Sequence, residues 1–85
     1  MSQEIYPSLG ELKKGDRGII VRVRESSFCL SLPERLMEMG ILEGSIFEVL
    51  HEAPFGKDPI AVQVRGALIA LRRNEADCVE VAKID

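Results

Sequence analysis

The sequence predicts a mainly β domain, a small and partly open barrel of about five short strands with one short α-helix inserted after the first. Three observations lead there. Five short runs alternate apolar and polar residues with period two, the mark of strands with one buried face. One segment switches to helical spacing and stops at a glycine, where a left-handed residue ends a helix. The chain has 85 residues, which suits one domain with a modest core. Strands in so small a unit are expected to curl toward closure, because open edges invite aggregation.

The elements follow in order. Ser8-Leu9-Gly10-Glu11-Leu12 reads as a single helical turn that lays Leu9 and Leu12 on a core. Ser8 followed three residues on by Glu11 forms a capping-box pair. Gly15-Asp16 reads as a turn. From Arg17 to Arg24, Ile19, Val21 and Val23 alternate with Ile20, Arg22 and Arg24. The first set is expected to face the core and the mostly charged set to face water. Ser31-Leu-Pro-Glu34 reads as a helix start, with Ser31 capping, Pro33 tolerated in the first turn and Glu34 completing a capping box. Leu32, Leu36 and Met39 then share one face, and Gly40 ends the helix. So short a helix cannot stand alone and must pack on the sheet. Ser45 to Ala53, Ile60 to Arg65, Leu68 to Arg72 and Cys78 to Ala82 read as further strands. A tight hairpin is expected at Gly66, and 74–77 reads as a polar or 3-10 turn. These lengths, with the helix after the first strand, fit an SH3-like barrel forming a single domain over 1–85.

Composition narrows the function. Apolar residues make up 46% and charged residues 29% of the chain, a globular balance. No run is apolar and long enough to cross a bilayer. Met-Ser-Gln-Glu at the start shows no basic or apolar signal segment, so a cytosolic location is expected. A net charge of -3 argues against general nucleic-acid binding, which needs a phosphate-neutralising surface. Aromatics at 5% and the absence of Trp give few stacking platforms for RNA. Cys29 and Cys78 form no Cys-x-x-Cys or Cys/His cluster and are expected as reduced structural thiols.

No catalytic constellation is visible. His51 is the one histidine, with no neighbouring nucleophile and orienting acid, and no phosphate-cradling P-loop exists. The chain is therefore not expected to be an enzyme, and no cofactor is expected. Glu48, His51 and Glu52 are close in sequence, but strict alternation would turn Glu48 and Glu52 away from His51. No tight metal site is expected.

Partner binding has better candidates. Phe55 sits in Ala53-Pro54-Phe55-Gly56-Lys57-Asp58-Pro59, a Pro/Gly-bounded loop on which recognition could be carried. The alternative is that Phe55 folds back and plugs the barrel. Pro54, Gly56 and Lys57 belong to the same loop. Phe28 and Leu30, just before the helix, either pack beneath it or form an apolar docking patch. Met37 lies off the Leu32–Leu36–Met39 face; a core role is expected in so small a domain, while its flexible thioether would suit an adaptable interface if exposed. Arg22, Arg24, Arg65, Arg72 and Arg73 could form a stripe over the outer sheet or an ordinary solvated face.

Several pieces in fixed order carry a family resemblance: Leu9-x-x-Leu12, Lys14-Gly-Asp-Arg-Gly18, Glu38-Met39-Gly40-Ile41 followed by Gly44, the 53–60 loop, Val64-Arg-Gly66 and Leu71-Arg-Arg-Asn-Glu-Ala76. From Leu9 to Val81 the chain resembles FeoA, the small cytosolic protein that accompanies the ferrous-iron transporter FeoB. Glu43 stands where the family often has proline, Lys57 looks inserted, and 25–30 replaces a more glycine-rich linker. The resemblance implies an SH3-like barrel and a link to FeoB, a membrane protein with a cytosolic G-protein domain; a ferrous-iron transport accessory that binds and modulates that transporter through its G-protein region is expected. The alternative it implies is a regulatory SH3-like module acting with an iron-dependent transcriptional regulator. No DNA-reading helix is visible for action on DNA alone.

Overall fold

The computed structural model describes residues 6–24, 32–54 and 56–84, with backbone alone for 32 and 33. A 3-10 turn (Leu9–Glu11) leads to β1 (Arg17–Val23), α1 (Leu32–Met39), β2 (Ile46–Glu52), β3 (Ile60–Val64), β4 (Ala67–Leu71), α2 (Arg73–Ala76) and β5 (Val79–Ile84). The strands form one antiparallel sheet in the order β4-β3-β2-β1-β5, so the fold is mainly β with a small helix, as expected.

The core lies on the inner face of the sheet. Phe47 and Val49 from β2, Val62 and Val64 from β3, Leu71 from β4, and Val79 and Val81 from β5 are buried there. Leu9 and Leu12 join them from the N-terminal turn, and Leu36 and Ile41 from the helix and its exit. Full burial of one such side chain stabilises by about 1.5–3 kcal/mol. The exit of α1 follows from its glycine. Gly40 takes φ 104°, the Gly40 N–H donates to Met37 O (3.0 Å), and the Ile41 N–H donates to Leu36 O (2.8 Å). That is the Schellman pattern with its apolar contact, since Leu36 and Ile41 are both fully buried.

Strict alternation fails at two bulges. On β1 it placed Ile19, Val21 and Val23 inward. Instead Ile20 is buried and Ile19 is exposed. The β1–β5 register shifts between Ile20 and Arg22, so the extra residue reverses parity and Val23 regains the core. On β2 the register with β3 shifts between Val49 and His51. Glu48 pairs with Gln63 and His51 with Ala61, two positions apart on β3. Glu48 and His51 therefore share the outer face, against the expectation that they diverge.

Two smaller corrections concern 74–78. The polar turn is one α-helical turn that starts earlier, at Arg73, with the Arg72 N–H donating to Glu75 Oε1 (3.0 Å). Cys78 is buried and disulfide-bonded, not a reduced thiol. Cys29 lies outside the described residues.

Candidate interaction surface

The loop 53–59 leaves β2 and returns to β3 with the Ala53 N–H donating to Pro59 O (3.1 Å). Gly56 and Lys57 both take positive φ, 72° and 54°, and Asp58–Pro59 is cis. A lysine in the left-handed region is uncommon and needs its surroundings to hold it. Arg73 supplies that hold. Its Nε–H donates to Lys57 O (2.8 Å) and its backbone N–H to Asp58 Oδ1 (2.9 Å). Pro54, Gly56 and Lys57 are exposed, and the loop is fixed at its base. Phe55 lies outside the described residues, as do Phe28 and Leu30.

Arg73 reaches further. Nη1 donates to the carbonyls of Gly10 (2.9 Å) and Leu12 (2.5 Å), and Nη2 pairs with Glu52 Oε2 at 2.6 Å. One guanidinium thus joins α2, the loop, β2 and the N-terminal turn. Its planar fork of donors suits this task in a way a lysine would not. The Lys14 N–H donates to Glu52 Oε1 (3.0 Å). That bond, with help from the Lys57 and Arg73 charges, holds the Glu52 carboxyl below its ordinary value.

From the other side of α2, Glu75 pairs with Arg35 of α1 at 3.3 Å. The loop and α1 are therefore both tied to α2. On α1, Leu36 is buried and Met37 is 56% exposed, so Met37 presents an apolar side chain to solvent as an interface would need. The arginines do not form one stripe. Arg22 and Arg24 pair with Glu80, the Arg24 Nη2–H also donates to Asp77 O, and Arg73 is taken up in the clamp.

The outer sheet holds a feature that sequence reasoning missed. Ile19, Ile46, Leu68 and Ile84 are all exposed and fall in adjacent cross-strand rows. Ile84, Arg17, Glu48, Gln63 and Leu68 make one row, and Ile19 pairs with Ile46 in the next. An open groove of about 390 Å³ lies between Arg17, Ile46, Glu48, Gln63 and Arg65. The bulge on β1 lets Ile19 face outward while Val23 faces the core, and no residue in the sequence announces a bulge. Among the described residues no His/Cys/Asp/Glu group is placed to hold a metal ion.

A family model described as FeoA domain matches residues 8–83. The chain belongs to the FeoA domain family. It is 34% identical over 76 residues to a Fe(2+) transport protein A/Fe(2+) transporter FeoB fusion protein of Porphyromonas gingivalis, covering 89% of this chain and 8% of that protein's length. Among solved structures, FeoA of Stenotrophomonas maltophilia, complexed with zinc and described as an SH3 domain protein, aligns with TM-score 0.77 at 29% identity over 88% of each chain. FeoA of Chlorobium tepidum aligns with TM-score 0.72 at 38% identity, over 87% of this chain and 69% of that one. A manganese-dependent transcriptional repressor aligns with TM-score 0.82 at 20% identity, over 99% of this chain and 45% of that one. That last likeness is one of fold.

The FeoA-like motif residues act mainly as architecture. Gly18 packs against the β5 backbone, where a Cβ would sit 2.2 Å from Ala82 O. Gly44, at φ 83°, closes a turn in which the Ser45 N–H donates to Leu42 O (3.1 Å). Arg73, within the Leu71-Arg-Arg-Asn-Glu-Ala76 stretch, provides the clamp.

Proposed function

We propose that this FeoA domain is a cytoplasmic accessory of ferrous-iron transport that docks on the cytosolic G-protein region of a FeoB transporter and modulates it without chemistry of its own. The observation that carries this reading is the likeness to a polypeptide in which Fe(2+) transport protein A and FeoB are fused. Joining two modules in one chain raises the effective concentration of each for the other, which serves partners that must meet. The docking elements are the 53–59 loop, with Pro54, Phe55, Gly56 and Lys57, and α1 with Met37. Phe28 and Leu30 adjoin α1 in sequence and complete the set. Support comes from the rigid base that Arg73 gives the loop and from the exposure of Met37. Loops held on a rigid scaffold commonly carry recognition.

Calorimetry with the soluble FeoB G domain, in GDP and in a GTP analogue, tests this. Binding is expected, weakened about tenfold or more, roughly 1.4 kcal/mol, by Phe55→Ala or Met37→Asp with the fold intact. Unchanged affinity in both variants would remove this surface. No binding in either nucleotide state would remove the G domain as partner.

A further inference from the structure

The two edges of the sheet are treated differently. At the β5 edge, the Val81 N–H donates to Pro7 O (2.9 Å) and Ser8 bridges to Glu80. Glu80 and Lys83 also put charge on that strand. Among the described residues the β4 edge has neither protection. Ala67-Leu-Ile-Ala-Leu71 contains no charge and no proline, and its register with β3 is unbroken. Proteins usually blunt such an edge.

The hairpin fixes which groups point outward. Arg65 and Gly66, at φ 52° and 85°, form a two-residue turn of the doubly left-handed kind. Val64 and Ala67 flank it as a hydrogen-bonded pair, so Ala67, Ile69 and Leu71 direct their amides to β3. The N–H and C=O groups of Leu68 and Ala70 then point away from the sheet. Both residues are exposed, and their side chains continue the outer face. Arg65, in the turn before β4 where it also lines the outer-face groove, and Arg72, just after β4, flank this strand, and both are exposed. Neither guanidinium has an ion pair or hydrogen bond among the described residues.

We infer that β4 is a strand-addition site for an extended segment of another protein, apolar in its middle and acidic at its ends. Backbone bonds to Leu68 and Ala70 give the pairing, and Arg65 and Arg72 select carboxylates at either end. The same charges oppose self-pairing. An antiparallel pair of β4 strands centred on Ile69 would set Arg72 of one copy opposite Gly66 of the other, beside its Arg65. Arginine at a left-handed turn position, where Asn or Gly is favoured, keeps a charge at that end. This site does not depend on docking by the loop and α1.

The test uses three capped peptides, each a Val-Thr-Val-Thr-Val run flanked at both ends by two Glu, two Gln or two Lys. Their binding to the full chain is followed by NMR at low salt, with the oligomeric state measured by sedimentation. The Glu peptide is expected to bind at least about tenfold tighter than the others, shifting the Leu68 and Ala70 amides. Arg65→Gln with Arg72→Gln should erase that preference. Ala70→Pro, which removes an outward N–H at a position edge strands tolerate, should abolish binding, and Leu68→Glu gives a second block if that variant does not fold. Equal affinity for all three peptides, no binding of any, or binding untouched by the edge blocks would overturn the inference. So would a dimer that Ala70→Pro dissolves, which would make a second copy the occupant.

Discussion

The β5 edge and the β4 edge of one sheet carry opposite designs. The β5 edge is covered by Pro7 and Ser8. That cover is held in turn, because Arg73 bonds the carbonyls of Gly10 and Leu12 and the Ser8 Oγ–H donates to Asp77 Oδ1 (3.3 Å). The β4 edge is apolar and exposed, and among the described residues nothing covers it and the Arg65 and Arg72 guanidiniums flanking it have no partner. Arginine thus has two uses here. Where its donors meet carbonyls and a carboxylate it is structural, and where, among the described residues, they meet no acceptor beside an exposed strand they are available to a partner.

The comparison breaks most severely at Gly18. A Cβ there would lie 2.2 Å from the Ala82 carbonyl, on backbone that cannot yield without parting β1 from β5. Gly18→Ala is expected to destabilise by about 3 kcal/mol or more, read as a lowered urea midpoint. Next comes Arg73→Ala, which removes the clamp and takes a donor from Glu52 Oε2 and from the carbonyls of Gly10, Leu12 and Lys57. A loss of about 2 kcal/mol is expected, with hydrogen exchange of the Val81 amide accelerating as the β5 cover loosens.

Arg65→Asn should sharpen the contrast. It relieves a left-handed arginine in favour of the residue such turns prefer, for a gain of about 1 kcal/mol and a Tm higher by about 4–8 °C. The Glu-ended peptide should bind more weakly to this variant. Stability and recognition would then move in opposite directions at one position.

Acid should act weakly, and through the structural side. The Lys13 N–H, 2.9 Å from Asp16 Oδ2, and then Lys83 hold the Asp16 carboxyl below its ordinary value. Glu52 is lowered chiefly by the Lys14 amide. A lowered carboxylate binds its proton less tightly folded than unfolded, so its contribution is complete above the ordinary values of 3.8 and 4.5 and fades as pH falls through the lowered ones. Denaturation midpoints should be flat from neutral pH to about 5 and decline below. A midpoint that rises on acidification would contradict the assignment.

Much of the fold was legible because period-two runs and helix-ending glycines are local signals. Strand number, the helix after β1, the Gly40 exit and the Gly66 hairpin all follow from residues near one another in sequence. The faces of β1 and β2 did not follow, because a bulge is a register choice made against another strand. Val21 and Leu50 look like ordinary members of their runs. The Arg73 clamp escaped for the same reason: its acceptors come from 10, 12, 52, 57 and 58, brought together by the fold alone. Of the candidate site, the loop was legible from its Pro/Gly boundaries, whereas Met37, expected in the core of so small a domain, is exposed. The unprotected β4 edge became visible only when the strand order put β4 last.

The most direct test of the account is an NMR titration of the labelled chain with the soluble G domain of a FeoB, in GDP and in a GTP analogue. Shifts are expected on the 53–59 loop and on α1 around Met37, differing between nucleotides, while the Leu68 and Ala70 amides stay in place. Shifts confined to the outer sheet, or none in either nucleotide state, would contradict docking by the loop and helix.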